Sequence, residues 1–128
     1  MGDTVKIQDY EAAMDVVNGI TAVAYSTSSS EVLSSAIDTR SYPRKRIFVV
    51  MNHAADATST GVTGTVKSSA TSGGSYAACT KTGTFGASTS AGSWMCEVKR
   101  DSTKPFIKVS MTPAGGSGVI SATVIFMP

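Results

Sequence analysis

Histidine and tryptophan each occur once in this chain and cysteine twice, and only 16% of the residues are charged. Each scarcity removes a class of chemistry. Acid–base and nucleophilic catalysis need a titratable group beside a nucleophile and an orienting partner. The sole histidine is His53, placed where a strand closes and a loop running to Thr60 is expected, and no serine stands in a G-x-S-x-G elbow. Cys79 and Cys96 lie 17 residues apart with no second pair, which matches no structural zinc spacing and is too sparse for a disulfide framework. No acidic loop has calcium spacing. Gly73-Gly74 and Gly115-Gly116 sit between strands, so they offer no helix N-terminus to a phosphate. The expectation is a non-enzymatic protein with no metal and no cofactor. The longest apolar run, residues 47–51, falls far short of the ~20 residues that span a bilayer, so no membrane partner is expected. The first residues are polar and acidic without an apolar signal core. That fits a protein made and kept in a reducing cytosol with both thiols free.

What the chain does have is Ser, Thr, Gly and Ala between short, well-spaced apolar segments. At 128 residues it is one domain by size. Its organising stretch runs from Ala36 to Asn52. An apolar strand, Ile47-Phe48-Val49-Val50-Met51, is entered through the polar corner Ile37-Asp38-Thr39-Arg40-Ser41-Tyr42-Pro43, where Asp38 is placed to bond backbone N–H groups ahead of it. Phe48 is expected to face the core. Alternation is clearest in the last third. Trp94, Cys96 and Val98 share one face; so do Ile107, Val109 and Met111, and then Ile120, Ala122, Val124 and Phe126. Period-two patterning of this kind means strands with one wet face. Further short strands are expected at about 20–25, 31–37, 61–70 and 75–81. The fold class is all-β: a single sandwich or jelly-roll-like domain of about eight short antiparallel strands.

Residues 1–20 read as an extended N-terminal arm and 21–128 as the sandwich. Within the arm two local readings compete. Tyr10, Ala13, Met14 and Val17 have helical spacing with Asn18-Gly19 as a stop, while Asn18-Gly19 also suits a hairpin turn. Charge is unevenly spread. Residues 1–38 set Lys6 against Asp3, Asp9, Glu11, Asp15, Glu31 and Asp38, a balance of −5, and the remainder carries +7. An acidic first segment can lie on a basic neighbour in the same or another subunit. Candidate protein contacts are Val5, Ile7, Tyr10 and Met14 of the arm, the basic cluster Arg44, Lys45 and Arg46, and Phe85, the one large side chain of the loop 82–92. Nucleic acid is an unlikely partner, because a single-strand platform wants aromatics spaced along a basic groove.

Several segments carry a family resemblance: Val16-Val17-Asn18-Gly19-Ile20, Ala36 to Tyr42 with the apolar strand after it, Gly64-Thr65-Val66-Lys67-Ser68-Ser69, Gly73-Gly74-Ser75-Tyr76, Lys104-Pro105-Phe106-Ile107-Lys108-Val109, and residues 119–126. Together they resemble small structural proteins of tailed bacteriophages encoded with the head genes. The resemblance implies a head decoration (cement) protein on the exterior of an expanded shell, made in the cytoplasm of a bacterial host. It implies the major capsid protein as partner and a homo-oligomer, a trimer before a dimer. Pro43-Arg44-Lys45-Arg46 departs from the pattern, which has an acidic or small polar residue after Tyr42. Other classes compatible with the sequence are a head fibre base, a tail protein, or a carbohydrate-binding module using Tyr10, Tyr25, Tyr42 or Tyr76.

Overall fold

A computed structural model describes residues 14–26, 30–55, 59, 61–82 and 91–128. Ten strands are described: β1 (Asp15–Ser26), β2 (Val32–Leu33), β3 (Ile37–Asp38), β4 (Arg46–Ala55), β5 (Gly61–Ser69), β6 (Ala77–Ala78), β7 (Lys81–Thr82), β8 (Gly92–Val98), β9 (Phe106–Gly115) and β10 (Ser117–Met127). A single 3-10 turn, Thr39–Ser41, stands between β3 and β4. One sheet has the order β1-β10-β4-β8-β7, and the other β2-β9-β5-β6 with β3 also on β9. All described pairings are antiparallel. The two sheets face each other as a β-sandwich.

The sequence pattern explains which residues turn inward. β4 buries Ile47, Val49 and Met51, and β10 buries Ile120, Ala122, Val124 and Phe126. From the opposite sheet Val62, Val66, Ile107, Val109 and Met111 meet them. Every second residue of a strand points to one face, so the β-branched residues at alternate positions form a continuous apolar layer. Each such side chain fully withdrawn from water contributes about 1.5–3 kcal/mol. β9 and β10 are consecutive yet lie in different sheets, so the chain must turn a corner between them. Gly116 does this at φ 76, a left-handed conformation that side chains resist.

Four expectations are corrected. β1 runs straight through Asn18-Gly19, which is neither a helix stop nor a hairpin turn. The ladder pairs Asn18 with Thr123 and Ile20 with Ala122, slipping at Gly19. An eight-residue helix is marginal in water, and pairing with β10 outweighs it. The strand therefore starts at Asp15, and residues 15–20, expected in the arm, belong to the sheet. Next, the single strands expected at 31–37 and 75–81 are each two short ones. In the second, β6 pairs with β5 and β7 with β8, so the chain changes sheets at Cys79-Thr80. Third, His53 is a buried strand residue of β4, not part of a loop. Fourth, Phe48 lies between Ile47 and Val49 on the outer face, where the Arg46 guanidinium sits 5.0 Å above its ring.

Phe126 is fully buried and stacks on Tyr42, with ring centroids 4.0 Å apart at 14°. Phe126→Ala is expected to cost about 3–5 kcal/mol in urea unfolding. Val16→Thr, on the outer face, should change stability by less than about 0.5 kcal/mol. Similar losses for the two variants would refute this placement of the core.

Candidate interaction surfaces

The corner between β3 and β4 is held by side chains reaching main-chain groups. Asp38 accepts from the Arg40 N–H at 3.0 Å and from its guanidinium at 2.9 Å through both carboxylate oxygens. This is the bonding expected for Asp38 from sequence. Thr39 donates its N–H and its hydroxyl to the Pro105 carbonyl, at 2.9 and 2.7 Å. The strongest device comes from Arg100, which no sequence motif singles out. Its Nη1 donates to Thr39 O at 2.8 Å, and its Nη2 to Tyr42 O at 2.6 Å and Lys45 O at 2.8 Å. A guanidinium is a rigid fork of donors, suited to collecting several carbonyls at once. Only its position just past an amphipathic strand marks Arg100 in the sequence, and that pattern does not distinguish it from a solvated cation.

Of the expected contact residues, Val5, Ile7, Tyr10 and Phe85 lie outside the described residues. Met14 is half-buried just before β1. The basic cluster is divided. Lys45 pairs with Asp15 at 2.5 Å. Arg46 makes a two-pronged pair with Glu97 at 2.9 and 2.8 Å. Arg44 is exposed at the tip of the turn with φ 62. Glu31 joins Lys67 at 2.7 Å and also takes the Ser110 hydroxyl. Asp15, Glu31 and Asp38, acids of the first segment, thus meet cations of the same molecule.

The two outer faces differ in kind. On the β1-β10-β4-β8 sheet the register sets Val16, Ile125 and Phe48 in one row and Val50 beside Met95 in the next. Val16 is 65% exposed and Met95 62%. A polar row follows, in which Ser93 donates to Asn52 Oδ1 at 2.6 Å and Asn52 donates to Ser121 at 3.3 Å. The outer face of the other sheet carries Thr63, Thr65, Lys67, Lys108, Ser110 and Thr112, with Leu33, 45% exposed, beside Ser110 and Phe106 under the Arg40 guanidinium. Tyr76 bonds the Ser72 carbonyl at 2.8 Å there and lies under Lys108.

Two open clefts flank the loop 99–104. One, of about 390 Å³, is lined by Cys79, Thr80, Lys99, Ser102 and Lys104 among others. The other, of about 330 Å³, is lined by Arg40, Pro43, Arg44 and Arg100, with Asp101 and Ser102. Among the described residues no group of three His, Cys, Asp or Glu side chains is placed to hold a metal. Burial pushes both thiols above the usual cysteine range, which disfavours the thiolate form. Tyr25 is buried with its hydroxyl 2.6 Å from His53 Nε2 and 2.9 Å from Ser59. Gly118 is required beside it, since a Cβ there would stand 2.7 Å from the Tyr25 hydroxyl oxygen and from Ala54 O. With Tyr42 stacked on Phe126, neither tyrosine forms the open aromatic platform a glycan needs.

No protein-family profile matches the chain, and no curated protein matches it. Among solved structures it is similar to a chain of the infectious bursal disease virus Gx strain, with TM-score 0.53 and 9% identity. That match covers 88% of this chain and 32% of the other, so this chain spans about a third of the viral chain's length. The likeness establishes a shared fold. Looser likenesses are to the cyanophage Pam1 capsid asymmetric unit (TM-score 0.41, 15% identity, 90% and 85% of the two chains) and to a structure of disulfide-linked pili of Bacillus endospore appendages (0.43, 13%, 89% and 89%). Neither of these two is close enough to carry an argument.

Arg100→Met keeps the apolar stem and removes the donors to the Tyr42 and Lys45 carbonyls, leaving Thr39 O its Tyr42 N–H, so a loss of about 2–3 kcal/mol is expected in chemical unfolding. Arg100→Lys, lacking the fork, should recover only a fraction of it. A second expectation concerns acid. Hydrogen bonding from Lys67 and then Ser110 holds the Glu31 carboxyl below the usual range, and Arg40, Arg46 and Thr103 do the same for Asp38, Glu97 and Asp101. A lowered folded pKa means stability that is present above the unfolded value, about 4, and lost as pH falls through the folded values. Thermal unfolding midpoints should therefore drop below about pH 4, and Glu31→Gln should flatten that slope. A slope unchanged by Glu31→Gln removes this ion pair from the account.

Proposed function

We propose that the protein is a non-catalytic structural component of a virus particle, and more narrowly a decoration protein on the outer surface of a phage head. The observation that carries the reading is the one-sidedness of the sandwich. One outer face gathers Val16, Ile125, Phe48, Val50 and Met95 around the Arg46–Glu97 pair, Asn18 and Thr123, while the other is mainly Ser, Thr and Lys, with Leu33 and Phe106 its large apolar side chains. Apolar surface gathered on one face marks a contact side, and a polar face suits solvent. Both the fold shared with the viral chain and the sequence resemblance to phage head proteins support the viral setting. In this reading the major capsid protein lies against the apolar face and copies of the chain associate with one another. Many modest attachment points raise effective affinity over a repeating shell, so no single deep pocket is needed.

The test is sedimentation of the purified protein with expanded phage heads that lack it. Binding at a fixed ratio to the capsid protein is expected. Met95→Asp should weaken it by at least about tenfold, or 1.4 kcal/mol, while leaving the unfolding midpoint close to wild type. Deleting residues 2–13, which spares the Asp15–Lys45 pair, should also lower occupancy or oligomerisation with the sandwich still folded. Location of the protein in a tail or fibre by electron microscopy overturns the decoration role and leaves a virion role standing. Absence from particles overturns both.

A further inference from the structure

The described carboxylates at one end of the sandwich are engaged, and cations outnumber them there. The start of β1, the start of β4 and the end of β8 lie together, since Asp15 pairs with Phe126, Met127 with Arg46 and Ile47 with Val98. The loop 99–104 and the 3-10 corner join them through the Arg100 bonds. At this end Asp15, Asp38 and Glu97 are each in an ion pair, and Asp101 accepts from Thr103 N and Oγ1 at 2.9 and 2.6 Å. Among the described residues, Arg44, Lys81, Lys99 and Lys104 have no carboxylate within ion-pair distance. Lys99 and Lys104 line the larger cleft and Arg44 the smaller; Asp101 lines both and feels the charge of Lys104, leaving an excess of cations. Arg44 also holds its place at φ 62, a left-handed backbone that costs about 1–2 kcal/mol outside glycine. Such a conformation at a cleft edge is where a functional constraint is expected.

We propose that this basic rim is a docking site for an acidic, extended segment, and that its occupant is residues 1–13 of the same molecule. Three observations select it. The segment carries Asp3, Asp9 and Glu11 against Lys6 alone. It joins the sandwich at Asp15, which is already tied to Lys45 at this same end. Its acids also have the right reach. Glu11 and Asp9 precede Asp15 by four and six residues, an extended span of up to about 14 and 21 Å. From β1 across β10 and β4 to β8 is three strand spacings, about 14 Å. Glu11 thus reaches the cations before β4 and Asp9 those after β8, and Lys104, just before β9 and about 10 Å across in the facing sheet, lies within the longer span of Asp9. This docking is the state of the isolated chain; in the decoration reading the segment exchanges the rim of its own molecule for a neighbour, and the docking does not depend on that exchange.

Zero-length carbodiimide coupling of the isolated full chain, mapped by mass spectrometry, tests it. Amide bonds from Asp9 to Lys99 or Lys104 are expected in the monomer fraction, with a yield unchanged by dilution. Raising salt from about 0.01 to 1 M shortens the screening length from about 30 to 3 Å and should lower that yield. With an N-hydroxysuccinimide acetate ester in place of the carbodiimide, the Lys99 and Lys104 amines of Asp9→Asn/Glu11→Gln should be acetylated several-fold faster than those of the wild type, N-hydroxysuccinimide leaving. The proposal is overturned if the links appear only in a dimer fraction and vanish on dilution, if the segment couples equally to lysines elsewhere, or if neutralising its acids leaves the acylation rates unchanged. Since no shell is present, failure here and failure of the decoration reading are separate outcomes.

Discussion

The fork of Arg100 is the constraint on which the rest depends. A chain that leaves one sheet at β3 and enters the centre of the other at β4 must turn sharply. The turn leaves the carbonyls of Thr39, Tyr42 and Lys45 pointing away from any ladder. The Thr39 carbonyl also takes the Tyr42 N–H at 3.1 Å, but those of Tyr42 and Lys45 would be costly to leave unpaired, and one guanidinium reaches all three. With the corner fixed, Tyr42 drops its ring onto Phe126 and closes the core at that end. The same side chain ties the loop after β8 to the loop before β4, so both cleft walls are set by one residue.

The amount of this legible in the sequence follows from how local each signal is. Alternation found β8, β9 and β10, because a strand with one buried face writes its own pattern. The Asp38 bond was also legible, since an Asx-type contact spans two residues. Arg100 was not, because its partners lie 55 to 61 residues away. His53 escaped for the same reason: its partner Tyr25 is 28 residues distant. Phe48 misled by hydrophobicity, whereas parity with Ile47 and Val49 decides its face. Asn18-Gly19 misled by composition. A dipeptide that suits a tight turn also suits a slip in an edge strand, and only the partner strand chooses between them.

Of the candidate surface, sequence located the basic cluster but not its division. Lys45 and Arg46 are bound by Asp15 and Glu97, so the cluster is chiefly internal bracing, with Arg44 turned outward. The outer apolar rows were hidden as well. Val16, Val50, Met95 and Ile125 lie on four strands far apart in the chain, and only the register sets them side by side.

The pairing of β1 with β10 has a mechanical consequence. The beginning of β1 and the end of β10 emerge together, Asp15 opposite Phe126. Tension pulling those two points apart acts across the strands, along the interstrand hydrogen bonds, which are perpendicular to the strands in an antiparallel pair. The bonds then break in succession, as in a zipper, instead of failing together in shear. A load applied at the outer face instead is shared among β1, β10, β4 and β8. The β1–β10 pair thus yields at low force when drawn apart at that end.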